Sequence, residues 1–477
     1  MSNVQVYQQR RHRLAGEMGA GVAVIPTAPE RARNRDSHYP YRFDSYFHYL
    51  TGFMEPEAVL VLLANVALSP SPLPQAGAPA GGVPAGIGGK SAQSGEKGDE
   101  VSSPSDGWVK SILFCREKNL EREIWDGFRH GPDGAKEVFG FDEAYPIALL
   151  DEMLPKLLAD QPSLFFHLGA DSAWDARAVG WLNSVREQVR SGITAPGAIQ
   201  DVRALLDEMR LIKGAEEIAT MRRAGEISAA AHIRAMQQAR PGRNEFEIEA
   251  ELLHEFRRHG AQAPAYTSIV AGGANACVLH YVFNDAPLKD GELLLIDAGC
   301  ELDGYAADIT RTFPVNGKFS AAQKDVYELV LAAQAAAVFH VKPGNHWNQP
   351  HEAALKVLAQ GFIDFGLCLG SLDEVLEKES YKQFYMHRTG HWLGMDVHDV
   401  GEYKQGGAWR TLKPGMVLTV EPGCYIRPAD NVPEQFWNIG IRIEDDVAVT
   451  QDGCDVLSAA APKTVAEIEA LMENRNA

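Results

Sequence analysis

The chain has 477 residues, 45% of them hydrophobic and 23% charged, an ordinary globular balance in a length that favours two domains over one core. Its formal net charge of −19 repels phosphate backbones over most of the surface and disfavours nucleic acid as a partner. No run nears the roughly 18 apolar residues of a membrane span, the polar opening lacks a secretory pattern, and six scattered cysteines without a C-x-x-C pair suit reduced thiols, so a cytoplasmic protein with no membrane partner is expected.

In chain order, residues 6–18 read as an opening helix. Strands are predicted at 22–25, stopped by Pro26, at 58–63, at 110–114 and, after a helical stretch over 149–158, at 164–166. These form an α/β domain over residues 1–210. Residues 69–107 are dominated by Pro, Gly, Ala and Ser, with too little apolar surface to offset the entropy of ordering, so a disordered insert is expected there. Helices follow at 215–238, ending before Pro241-Gly242, and at 245–259, ending before Gly260. Short strands with polar clusters come next, broken by helices over 321–340 and around 350–361, so residues 211–477 read as an α+β domain.

Within that second domain a segment occurs twice. Leu288-Lys289-Asp290-Gly291-Glu292-Leu293-Leu294-Leu295-Ile296-Asp297-Ala298-Gly299-Cys300 returns as Leu412-Lys413-Pro414-Gly415-Met416-Val417-Leu418-Thr419-Val420-Glu421-Pro422-Gly423-Cys424. Both copies read as a glycine turn, a buried strand, and a carboxylate followed by a glycine bend. If the copies pair about a pseudo-twofold axis, Asp297 and Glu421 meet, which is costly for two anions unless a cation lies between them. A shared fold unit whose acids only cap turns is the other reading.

The neighbours favour a metal. Asp308 opens Asp308-Ile309-Thr310-Arg311-Thr312-Phe313, an alternating strand that a short hairpin could bring beside Asp297. The second half supplies Glu421 and then Glu444, in Gly440-Ile441-Arg442-Ile443-Glu444-Asp445-Asp446, again on an alternating strand, and His391 precedes these two acids. Four carboxylates and one imidazole are too oxygen-rich for structural zinc but suit two Mn²⁺, Co²⁺ or similar ions sharing bridging carboxylates. His280, His387 and His398 stand close in sequence to these segments and could hold a substrate carbonyl or a developing oxyanion. Arg442 could orient a carboxylate from the same strand face as Glu444. His254 and His259 mimic a zinc-protease helix but lie five apart instead of four, which turns the second ring off the face of the first.

Taken together, His387, the run His391-Trp392-Leu393-Gly394-Met395-Asp396-Val397-His398-Asp399-Val400-Gly401, Val420-Glu421-Pro422-Gly423 and Gly440 to Asp446 resemble aminopeptidase P. Ile296-Asp297-Ala298-Gly299 and Gly304 to Pro314 add to the resemblance, as do Tyr39-Pro40-Tyr41-Arg42 and Tyr49 to Ala58 near the N-terminus, so it covers nearly the whole chain apart from the insert. It implies an α/β N-terminal domain and a C-terminal "pita-bread" (creatinase/aminopeptidase) domain, two pseudo-symmetric halves around a dinuclear centre. It further implies metal ligation by Asp297, Asp308, His391, Glu421 and Glu444, with Asp308 and Glu444 bridging and Glu421 doubling as general base. His280 and His398 would steady substrate and intermediate, His387 and Tyr425 would bind substrate, and Arg442 would support the ligands. The implied substrates are peptides with proline second, whose tertiary amide lacks a donor and fixes φ, so a shaped pocket is required. A homo-oligomer, tetramer or dimer, is implied as well. Members of this family have glycine and small residues between the two histidines where this chain has Arg388-Thr389-Gly390, so a narrower site or altered peptide preference is expected. Xaa-Pro dipeptidase, a non-catalytic binding module of the same fold and a metal-free amidinohydrolase are the rival readings.

Overall fold

The computed structural model describes residues 3–65 and 107–474 and divides the chain into two compact units, Met1–Leu206 and Asp207–Ala477. The insert expected at 69–107 lies, but for Gly107, outside the described residues.

The first unit opens with the helix Asn3–Met18, which buries Arg11, Leu14, Ala15 and Met18, the i, i+3, i+4, i+7 stripe of a helix packed on one side. Its sheet contains β1 (Ala20–Pro26), β2 (Val59–Asn65), β3 (Trp108–Cys115), β4 (Glu143–Pro146), β5 (Ser163–Phe166) and β6 (Ala198–Asp201), in the order β4-β3-β2-β1-β5-β6. β1, β2 and β3 are antiparallel neighbours, whereas β4, β5 and β6 join in parallel. Pro26 pairs with Val59 at the end of β1 instead of lying beyond it, a position where a missing N–H does least harm.

In the second unit, the helices Ala215–Gln238 and Glu245–Arg258 precede β7 (Ala263–Pro264), β8 (Ile269–Gly272), β9 (Leu293–Asp297), β10 (Cys300–Leu302), β11 (Tyr305–Ala306) and β12 (Thr310–Pro314). The helices Ala321–His340 and Gln349–Asp364 precede a small hairpin, β13 (Lys404–Gln405) with β14 (Ala408–Trp409), and then β15 (Val417–Val420), β16 (Gly423–Ile426), β17 (Ile439–Arg442), β18 (Asp445–Val449) and β19 (Cys454–Val456). β12 pairs antiparallel with β9, and β18 with β15, so each copy of the repeat supplies the strand on which its half is built.

The structure shows the duplication to be longer than the repeated letters. Each long helix is followed three residues on by Pro-Gly, at Pro241-Gly242 and Pro343-Gly344, and the glycine N–H donates to the carbonyl of the first leucine of the repeat, Gly242 to Leu288 at 2.8 Å and Gly344 to Leu412 at 3.3 Å. Each leucine N–H donates in return to the residue after that glycine, Arg243 at 2.7 Å and Asn345 at 2.8 Å. The glycine turns also match: Gly291 and Gly415 have φ of 79° and 90°, the left-handed region that glycine enters without steric cost. One large apolar core binds these elements, from Leu211 and Ala224 through Leu294 and Ile296 to Leu418, Val420 and Ile468.

Candidate metal centre

Asp297 ends β9, and the bend after it brings in the next acid. A Cβ on Gly299 would lie 1.7 Å from the Ala307 carbonyl oxygen, so only glycine lets the chain following Asp297 pass this close to the arm carrying Asp308. Thr310 pairs with Asp297 across β9 and β12. The hairpin expected from sequence is present, but Asp308 lies two residues before β12, not within it. Likewise Glu444 occupies the junction between β17 and β18, where its N–H donates to the Thr310 carbonyl at 3.1 Å and ties the two halves together.

Asp308, His391 and Glu444 offer ligand atoms that all lie within 4.8 Å of one another. Glu421, immediately after β15, joins them: its Oε1 lies 3.6 Å from His391 Nε2, which is 3.4 Å from Asp308 Oδ2. Asp297 joins through Tyr266, whose hydroxyl oxygen is 2.5 Å from Oδ1 of both Asp297 and Asp308. Around them Arg442 donates to Asp297 Oδ2 at 2.6 Å, Thr310 Oγ1 at 3.1 Å and the Tyr425 hydroxyl at 3.0 Å. It is buried and contacts Asp297 through a single nitrogen, so its role is neither a surface ion pair nor a bidentate clamp. Thr310 donates to Glu444 at 2.6 Å, and Asp446 accepts from the Asp308 N–H at 3.1 Å.

The electrostatics of this donor set fit a divalent cation. Like charges about 4 Å apart repel by about 4 kcal/mol at an effective dielectric near 20, more than the ~0.5–1.5 kcal/mol an ordinary hydrogen bond returns. Burial, then the charges of Asp308, Glu421 and Asp297, push Glu444 well above the carboxylate range. Burial also raises Asp297 against the pull of Arg442, and lifts Glu421 to about 7 against His391. Asp308 alone is held low, because contacts with His391 and Tyr266 outweigh its burial. His391 rises to about 9: burial opposes its charge, but Asp308 and Glu421 prevail. Tyr266 has one proton for two carboxylate oxygens, so the pair needs a further proton or a cation. His391 Nδ1 donates to the Trp392 carbonyl at 3.0 Å, which leaves the Nε2 lone pair for a metal.

The remaining histidines differ. His387 Nδ1 donates to the Arg388 carbonyl at 2.7 Å and its Nε2 faces the Tyr425 hydroxyl at 2.9 Å, so both ring nitrogens are engaged. Burial and the Arg442 charge lower it to about 3, which keeps the ring neutral. Tyr425 is buried behind it. His398 is exposed, and its ring meets that of His391 edge-on at 4.4 Å. His280 is exposed too. Arg388 is held by Asn348 and lies 5.2 Å over the Trp409 ring. His254 is exposed on its helix, and His259, exposed just past the helix end at Arg258, bonds Glu255 at 2.8 Å. Sequence reasoning missed Tyr266, Thr419 and Asp446. Tyr266 lies outside the repeat and carries no motif, whereas Asp446 is the last residue of a run already singled out for Glu444.

Residues 219–451 match the model of metallopeptidase family M24, and residues 7–71 and 99–165 match that of the aminopeptidase P N-terminal domain. The second match breaks within the Pro/Gly/Ser-rich stretch. The chain is 43% identical to a Xaa-Pro aminopeptidase of Haemophilus influenzae over 98% of its own length and 96% of that protein's. Aminopeptidase PepP of Pseudomonas aeruginosa superposes with a TM-score of 0.89 at 48% identity, covering 99% of this chain and 98% of that one. A zinc-substituted Escherichia coli aminopeptidase P in complex with product gives 0.88 at 42% identity, with 99% of each chain covered. With its two pseudo-symmetric halves and this donor set, the chain belongs to the aminopeptidase P family of M24 metallopeptidases.

Proposed function

We propose that this metallo-aminopeptidase removes the first residue from peptides with proline second, using two divalent cations, Mn²⁺ by preference, held by Asp297, Asp308, His391, Glu421 and Glu444. The observation that carries this is the meeting of acids from both halves with one imidazole whose Nε2 is free to ligate. Bound divalent cations supply Lewis-acid polarisation of the scissile carbonyl and lower the pKa of water. The protein does the rest. Glu421, lifted to about 7 and partly exposed, is placed to take a proton from the attacking water. Asp308 and Glu444 are central enough to bridge. His280 and His398, exposed at the rim, can donate to the substrate carbonyl or the developing oxyanion. With both nitrogens engaged, His387 offers its ring as a wall for the proline, held by the line Arg442–Tyr425–His387.

No described helix is long and apolar enough to cross a membrane, and the bacterial relatives support a cytoplasmic location. Leu120, Ile124, Trp125 and Phe128, close together in sequence, are all exposed, and exposed apolar side chains of this size support a homo-oligomer, tetramer or dimer.

Length preference tests the activity. Purified enzyme with Mn²⁺ should release arginine from Arg-Pro-Pro. Cleavage confined to dipeptides would make it a prolidase, and turnover indifferent to a chelator would make it a metal-free hydrolase.

A further inference from the structure

The repeated strand is Leu293-Leu294-Leu295-Ile296 in the first copy and Val417-Leu418-Thr419-Val420 in the second. Apolar character fails at one position, where Thr419 stands in place of Leu295. Leu295 is buried among Ile269, Ala271, Cys277 and Tyr425, as an interior strand position should be. Thr419 is wholly buried too, and a hydroxyl there must find partners. It has two. The His391 N–H donates to Oγ1 at 3.1 Å, and Oγ1 donates to Glu421 Oε1 at 3.3 Å. An amide N–H can only donate, so the hydroxyl accepts from it and its single proton is left for the carboxylate. The main chain reinforces the link, since the Thr419 N–H donates to the His391 carbonyl at 3.0 Å. Glu421 Oε1 is thereby held on the His391 side, and Oε2 is left toward His387, 3.9 Å from its Nδ1.

We infer that Thr419 is a positioning residue whose hydroxyl fixes the Glu421 carboxylate relative to His391, so that one chosen oxygen faces the metal ligands and the other the substrate side. This rests on the roles given above to Glu421 and His391. In the second copy of an otherwise apolar strand, threonine in place of leucine turns a packing position into one that aims a base.

The test uses the full Mn²⁺-loaded enzyme and Arg-Pro-Pro. Thr419→Val keeps the shape and removes the hydroxyl; it should lower kcat by about 10–100-fold, with KM little changed, and weaken Mn²⁺ binding in titration calorimetry by a similar factor. Thr419→Ser keeps the hydroxyl and should restore both to within about threefold of wild type. In a Glu421→Gln background, Thr419→Val should add almost nothing. Should the valine variant fail to fold, Thr419→Ala against Thr419→Ser makes the same comparison. Wild-type kcat and Mn²⁺ affinity without the hydroxyl, or a loss undiminished in the Glu421→Gln background, would overturn the inference and leave the proposed function standing. Unimpaired turnover by Glu421→Gln alone would bring down both.

Discussion

The two copies of the repeat share a turn, a strand and an acid, yet their surroundings differ. The first copy's acid, Asp297, is held by Tyr266 and Arg442, and its strand is apolar throughout. The second copy's acid, Glu421, stands beside His391 and Thr419, with side-chain exposure of 17% against 14% for Asp297. Burial and opposing charges leave Glu421 near 7, whereas Asp297 is tied to a guanidinium. The repeated frame is symmetric, but the side chains around it are not: under the proposed function, Asp297 would serve as a clamped ligand and Glu421 as a ligand that also moves a proton.

The largest expected effect falls on that contrast. Glu421→Ala or His391→Ala should cut kcat/KM on Arg-Pro-Pro by at least about 100-fold, or about 2.7 kcal/mol, and near-normal turnover would dissolve the distinction between the copies. Gly299→Ala should cost roughly 3 kcal/mol or more in denaturant unfolding, because the new Cβ would lie 1.7 Å from a backbone oxygen. A wild-type midpoint would show that the two arms need no such approach.

Acid should loosen the first copy. Its Ala298 carbonyl is held by buried His232 Nε2 at 3.0 Å, and burial, opposed mainly by that bond, lowers His232 from 6.5 to about 4. The folded value lies below the unfolded one, so the unfolded chain binds the proton first. That share of stability is complete above pH 6.5 and fades as pH falls toward 4, by roughly 3–4 kcal/mol in all. His232→Gln should flatten stability across that window in denaturant titrations at a series of pH values. The smallest effect separates the turns: Gly291→Ala, with open space around it, should cost about 1 kcal/mol. Gly415→Ala should cost more, since its Cβ would lie 2.9 Å from the Lys213 carbonyl oxygen. Equal losses would contradict the packing difference.

Much of this was legible in the residues. The predicted helices at 215–238 and 321–340 coincide with Ala215–Gln238 and Ala321–His340, because Pro-Gly and Ser320 mark their ends. The edge strands β4 and β6 were not legible: they are short, lie at the two margins of the sheet and bury little, so no apolar pattern announces them. The acids stood out because they recur after matching strands. Tyr266 did not, since it reaches Asp297 and Asp308 from 31 and 42 residues away and only the fold brings such partners together. Thr419 was in view from the start, but its meaning depends on what its hydroxyl touches.

Under the proposed function, acids from both copies and one imidazole together cage the cations on which hydrolysis depends. Elemental analysis of dialysed, Mn²⁺-loaded protein tests it most directly, comparing wild type with Asp308→Ala, which removes a proposed bridge. About two ions per wild-type chain and loss of both from the variant are expected; a wild-type chain that holds none while cleaving Arg-Pro-Pro, or a variant that keeps its full complement, would contradict such a cage.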